Sequence, residues 1–330
     1  MPIDDRWKLN DLRVIFLTSD EISVAVIPDL GGCIKSIRHL PSNTELLSNI
    51  REPRPVDYYR GGLPAENLME LSMIGGWYEI LPNAGYRANY EGVTFGLHDE
   101  TAYLPWRAEF DSERDADSLF LKVNLNKFPL VLSRRMTLLK NKLIFEEKLM
   151  NEAPVELPVS WLHHLLFGSS IIGSDTELKL PESSFVVDDY LNNKNNQLKL
   201  GQKGRWPDAV DVSGVHTDLS RFPEKGSVNC DDLIYIPDLS EGWFKVINEK
   251  KRIRFCAQWD KGIFKSLWIW RPLGGGSSPP WFGRIYGAGI EIATSWPATG
   301  ITDQIQNGSA LYLKPYGSIS TELQFTIDQY

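Results

Sequence analysis

Three stretches of the chain hold side chains that can move protons. In VSWLHHLLFG (Val159 to Gly168) two histidines, His163 and His164, sit side by side in an otherwise apolar run. Such a run, preceded by Pro154 and Pro158, predicts a strand buried on both faces. Successive side chains on a strand point to opposite faces, so the two histidines cannot serve one site. His164 shares its face with Ser160, Leu162 and Leu166, the slightly more polar side, and His163 shares the other with Val159, Trp161 and Leu165. A histidine titrates near neutrality and suits general acid–base catalysis. In YGAGIEIATSWP (Tyr286 to Pro297), Glu291 lies on a strand face with Gly289 and Ala293, small neighbours that leave room for a ligand against its carboxylate. A carboxylate so placed must be paired, hydrogen-bonded or functional. The third candidate is His98, in the glycine-rich passage YEGVTFGLHDETAYLPW, next to Asp99 and Glu100. Each also has a structural reading, as a hydrogen-bonded core histidine or a salt-bridged glutamate.

Other chemistries lack their residues. FGSSIIG (Phe167 to Gly173) is not a G-x-S-x-G elbow, and no cysteine adjoins a histidine. LGGGSS (Leu273 to Ser278) lacks the lysine of a phosphate loop, and GAGIEI (Gly287 to Ile292) has Ile where a dinucleotide fingerprint needs Gly or Ala. A metal needs three or four converging ligands, whereas adjacent histidines on a strand diverge, so no metal is expected.

The elements that must position these residues read as strands. Leu119, Leu121, Val123 and Leu125 alternate with Phe120, Lys122, Asn124 and Asn126. Ile253 to Trp259 and Ile319 to Ile327 repeat the pattern, and LLKNKLIF (Leu138 to Phe145) predicts a hairpin turn around Asn141. Further strands are expected over Val14 to Leu17, Ile22 to Ile27, Ile34 to His39, Leu130 to Leu138 and Leu143 to Met150. Helical period is scarce; LPAENLMELSMIGG (Leu63 to Gly76) is the one candidate, ending at Gly75. No βαβ rhythm, repeat or linker divides the chain, so residues 1–330 read as a single all-β domain of two packed antiparallel sheets. Of eleven tryptophans, Trp77, Trp106, Trp281 and Trp296 lie near glycines and prolines. Core or loop anchoring accounts for such residues, while a cluster of them at a cleft would suit the apolar face of a sugar.

Composition narrows the partners. A net charge of -8 over 330 residues, without a Lys/Arg run, argues against nucleic acid. The start MPIDDRWKLN is acidic and polar, unlike a signal peptide, and no apolar run approaches membrane-span length, so a cytoplasmic protein off the membrane is expected. Cys33, Cys230 and Cys256 are far apart and odd in number, which reads as reduced thiols. Exposed aromatics would equally suit a homodimer surface.

In this order, His98 in GLHDE, His164 in HLLFG and Glu291 in GIEIA resemble the galactose mutarotase (aldose 1-epimerase) superfamily. That family has a histidine in a Leu-His-Gly-like stretch, a second in His-x-x-Phe, and a catalytic glutamate near the C-terminus. IPDLGGCIKSI, GGWYEILPNAG and LWIWRPLGGG support the match, which runs from about residue 21 to about residue 327. The resemblance implies a large antiparallel β-sandwich, a sugar substrate, and no cofactor or metal. It implies that ionised Glu291 takes the proton of the C1 hydroxyl while protonated His164 gives one to the ring oxygen. His98 would orient the sugar, Trp77 or Trp281 would stack on it, and Arg87 and Asp232 would stand for the family's sugar-binding arginine and aspartate. The chain departs from the pattern at Asp99, where a glycine is usual. Two other readings stay open: a carbohydrate-binding relative without chemistry, and an epimerase or lyase of different specificity. An acidic substrate would want Arg60, Arg87, Arg271 or Arg284 in the cleft.

Overall fold

The structure is a computed structural model that describes residues 3–54, 73–110, 118–190, 195–277 and 281–330. The alternating runs form two large antiparallel sheets. The larger, twelve-stranded sheet runs Ile3–Leu9, Leu12–Thr18, Ile22–Ile27, Cys33–His39, Trp77–Ile80, Leu162–Gly168, Gly287–Ala293, Ser266–Leu273, Cys230–Ile236, Ser184–Val187 and Lys203–Arg205, with Thr44–Glu45 beside Cys33–His39. The smaller, eight-stranded sheet runs Arg107–Glu109, Ser118–Asn124, Leu130–Leu139, Lys142–Asn151, Ser318–Gln329, Ile253–Trp259, Trp243–Asn248 and Thr176–Lys179.

Period two decides what each strand buries. Along Ser318–Gln329, Thr321, Leu323, Phe325 and Ile327 are buried while Ser320 and Glu322 face water. The expected hairpin forms with Leu138 opposite Leu143 and Leu139 opposite Lys142, so the turn falls at Lys140 and Asn141. Between the sheets, Leu121, Leu132, Phe145, Phe255 and Phe325 of the smaller sheet pack on Ile34, Trp77, Leu165, Phe167, Ile269 and Ile290 of the larger. Phe325 sits 4.6 Å from Trp77 and 5.1 Å from Phe145, ring centre to ring centre. Truncating such a ring typically costs about 3–5 kcal/mol.

A second apolar cluster covers the other face of the larger sheet, where Tyr78, Ile80, Leu162, Tyr235, Trp268, Ala293 and Ala298 pack together. This double cover buries every residue of Leu162–Gly168 and of Gly287–Ala293. It accounts for the unbroken apolar run read around the histidines. That run is two strands: Leu157–Val159 pairs with Leu311–Leu313, and the chain enters the larger sheet only at Leu162. The helix expected over Leu63 to Gly76 falls largely outside the described residues, and Met73 to Gly76 are not helical. Among the described residues the α-helix is Ile301–Gln306.

Candidate active site

Strand register brings His164 and Glu291 together. Leu162 pairs with Ala293 and Leu166 with Gly289, which sets His164 level with Glu291 on one face of the larger sheet. Their side chains meet at 3.5 Å, His164 Nε2 to Glu291 Oε1. The glutamate curls over Gly289, where any Cβ would lie 2.5 Å from Glu291 Oε1. The space expected above the small neighbours is thus occupied in part by the carboxylate itself.

Both groups are buried, 3% and 2% exposed, and among the described residues neither has an ion-pair partner other than the other. Burial pushes the Glu291 carboxyl well above its usual range and pulls His164 down to about 4. Both shifts favour the uncharged forms, a carboxylic acid beside a neutral imidazole, over the ionised glutamate and protonated histidine expected above. The total proton count of the pair is the same in both arrangements.

His98 joins them from a loop. Its ring centre lies 5.2 Å from that of His164, edge to face. The Gly85 N–H donates to His98 Nδ1 at 3.0 Å, so the ring proton of the neutral form sits on Nε2. Burial, and next the neighbouring His164, hold its pKa well below the usual value.

The wall beyond comes from Ser266–Leu273 and Cys230–Ile236. Trp268 stands opposite Glu291 and Trp270 opposite Gly289. The Trp270 ring lies 6.2 Å from His164 and 5.4 Å from Trp281, which is half-buried. Its indole N–H donates to Asp231 Oδ1 at 2.7 Å. Asp231 is buried, and desolvation raises its pKa to about 6 against that hydrogen bond. Tyr235 completes the wall, donating its hydroxyl to Asp188 at 2.6 Å.

Three expected binding residues need correction or qualification. Trp77 lies on the opposite face, in the core between the sheets against Phe145 and Phe325, so it cannot stack on a ligand beside His164. Asp232 also faces away: it pairs with Arg271 and accepts the Gln197 and Leu198 N–H groups at 2.9 and 3.0 Å. Asp231, one residue earlier, is the carboxylate on the site's face. Arg87 is exposed, two residues after Gly85. Reading along single strands missed Trp268, Trp270 and Asp231; the alternation in LWIWRPL marks the two indoles as sharing a face but does not say which.

At the departure from the family pattern, the Asp99 carboxylate is engaged by Gly96, Tyr103 and Lys127. Of the arginines considered for an acidic substrate, Arg271 is buried and donates to the Leu219 and Arg221 carbonyls, whereas Arg284 is exposed over Phe282. Arg60 lies outside the described residues. A groove on the outer face of the smaller sheet, lined by Phe120, Lys122, Arg135 and Lys148, contains none of these site residues.

One group of potential metal ligands occurs among the described residues: Glu79, Glu147 and His163. Arg134 already bonds both carboxylates, and the two nitrogens of His163 face different glutamates, at 3.1 and 3.3 Å. This arrangement is charge compensation across the two sheets rather than an open coordination sphere.

No protein-family profile and no curated protein matches the sequence. Solved structures do match over nearly the whole chain. A galactose mutarotase-like protein from Clostridium acetobutylicum superimposes with TM-score 0.69 at 15% identity, covering 99% of this chain and 98% of that one. The Slr1438 protein from Synechocystis gives 0.69 at 14%, covering 99% of each chain. A galactose mutarotase related enzyme from Lactobacillus acidophilus gives 0.63 at 12%, covering 96% and 97%. At these identities the likeness is one of fold: the chain has the galactose mutarotase-like β-sandwich.

Proposed function

We propose that this chain is an aldose 1-epimerase that interconverts the α and β anomers of a sugar, with Glu291 and His164 as its acid–base pair. The observation that carries the reading is the buried contact between those two groups, whose charged forms burial disfavours and which His98 joins. Ring opening moves one proton off the C1 hydroxyl and one onto the ring oxygen. Glu291 takes the first and His164 supplies the second, so the pair must start as carboxylate and imidazolium. It ends as carboxylic acid and neutral imidazole, the forms that burial favours. Sugar hydroxyls donating to Glu291 would favour the charged start, and loss of that charge would favour the open chain. Rotation about C1–C2 and closure with the roles reversed delivers the other anomer.

His98, with its proton on Nε2, is the donor that orients the sugar near the ring oxygen. Trp270 and Trp281 offer apolar surface for a sugar face, and Asp231 offers an acceptor for a hydroxyl. The reaction calls for no cofactor or metal. We infer a single domain, a cytoplasmic setting and a homodimer as working assignments. No helix among the described residues is long and apolar enough to cross a membrane. Asp99, the departure from the family pattern, spends its carboxylate on Gly96, Tyr103 and Lys127.

The test is anomer exchange followed by NMR magnetisation transfer on galactose, glucose and acidic or phosphorylated aldoses, with Glu291→Gln as control. Enhanced exchange that the control loses is the expected result and identifies the preferred sugar. Heat protection by a sugar without any rate enhancement would turn the assignment to a binding protein.

A further inference from the structure

His98 adopts a left-handed backbone, φ 50, which side chains other than glycine seldom take. Two bonds to Gly85 fix the residue there: the His98 N–H donates to the Gly85 carbonyl at 2.9 Å, and the Gly85 N–H donates to His98 Nδ1 at 3.0 Å. Both bonds require the turn from Gly96 to Asp99 to keep its shape. Asp99 closes that turn from behind. Its Oδ2 accepts the Gly96 N–H at 2.7 Å and the Lys127 ammonium, and its Oδ1 accepts the Tyr103 hydroxyl. The Gly96 carbonyl is held in turn by the Asn83 amide at 3.0 Å.

The anchor lies in the other sheet. Lys127 belongs to the turn between Ser118–Asn124 and Leu130–Leu139, and Glu100 accepts the Asn126 and Lys127 N–H groups at 2.7 and 3.0 Å. The Asp99 side chain is fully buried and that of Lys127 is 24% exposed. A buried carboxylate met by a cation and two further donors is a rigid joint, because moving it would strand a charge.

We propose that Asp99 is a positioning residue: with Lys127 it holds His98 in one orientation and one tautomer, with Nδ1 on Gly85 and Nε2–H as the donor for a ligand. Its influence on rate rests on the mutarotase reading above, whereas its influence on the His98 ring does not.

The experiment is side-chain nitrogen NMR of the free protein, with His98→Gln assigning the signal, read beside kcat and KM for the best sugar. Wild type should show His98 as a single Nε2–H tautomer. Asp99→Ala should move both ring nitrogens toward the averaged shifts of a mobile imidazole and lower kcat/KM on the order of tenfold to a hundredfold. Asp99→Asn keeps one oxygen for Gly96 and Lys127 and turns its NH2 toward the Tyr103 hydroxyl oxygen, which can accept, and should restore most of both. Unmoved His98 shifts in folded Asp99→Ala would overturn the proposal whatever the rate does. Moved shifts in a protein that catalyses no exchange would uphold the positioning role and sink the mutarotase reading instead. Should Asp99→Ala not fold, Lys127→Met and Tyr103→Phe are read by the same shifts, and a wild-type tautomer in both overturns the proposal.

Discussion

His163 and His164 are neighbours in sequence, both buried, and in opposite electrostatic situations. His163 faces the core between the sheets, its two ring nitrogens 3.1 Å from Glu79 and 3.3 Å from Glu147. Arg134 spans both carboxylates, and the Trp161 indole donates to Glu79. Two acids and two bases from both sheets thus meet in one cluster. Burial and then Glu147 raise Glu79 to about 7 against the pull of Arg134. On Glu147, Arg134 and His163 outweigh burial and leave the carboxyl below its usual range. His164 has Glu291 alone, at 3.5 Å, and its Nδ1 has no partner among the described residues. Charge buried to hold a structure is compensated; on the other face burial disfavours the charged forms of the pair, which keeps hydrogen-bonding capacity a ligand can use.

The sharpest break between the faces is in rate. Glu291→Gln or His164→Ala should slow anomer exchange by on the order of 10²- to 10⁴-fold while leaving the circular dichroism spectrum intact. Full activity in either variant removes the pair from the chemistry.

Next comes stability on the opposite face. Arg134→Met leaves two carboxylates sharing one histidine in the core, and should cost about 3–5 kcal/mol in urea unfolding. Exchange per folded molecule should stay within a few-fold of wild type. A stable but inactive Arg134→Met would mean that the core cluster, too, belongs to the chemistry.

Somewhat smaller is the pH effect. His164 is held at about 4, below the 6.5 of an unburied imidazole, so between those values the unfolded chain binds a proton that the folded chain refuses. Stability contributed here therefore falls as pH drops from about 6.5 to about 4. His164→Gln is exempt, and should gain up to about 3 kcal/mol on wild type across that window. Asp231 and Glu79, raised to about 6 and about 7, act with the opposite sign but are common to both proteins and cancel. The acid limb of wild-type kcat/KM should likewise lie near pH 4; a limb near 6.5 would place His164 in contact with water.

The smallest effect is at the wall. Asp231→Asn keeps an acceptor for Trp270 while removing the charge, and should raise KM by roughly tenfold with little change in kcat. The same substitution at Asp232, on the far face, should leave KM alone, so equal effects from the two would dissolve the distinction between the faces.

Much of this division can be read along the chain. Period two separates His163 from His164, and places Gly289 and Ala293 beside Glu291, because alternation is a property of each strand by itself. The same rule states only that neighbours differ. It did not reveal that Trp77 belongs with His163 in the core, or that Asp231 rather than Asp232 shares the face of Glu291. A shift of one residue exchanges the faces, and pairing with the next strand decides which one meets the site.

The amino-acid order by itself determined the all-β character, the turn at Lys140 and Asn141, and a histidine pair split between two faces, since these depend on side chains a few residues apart. Only the tertiary structure decided that His98, His164 and Glu291 meet, that Trp270 and Asp231 wall them, and that burial disfavours the charged forms of His164 and Glu291. Those facts depend on strand register and on exclusion of water, which arise when strands distant in sequence close over one another.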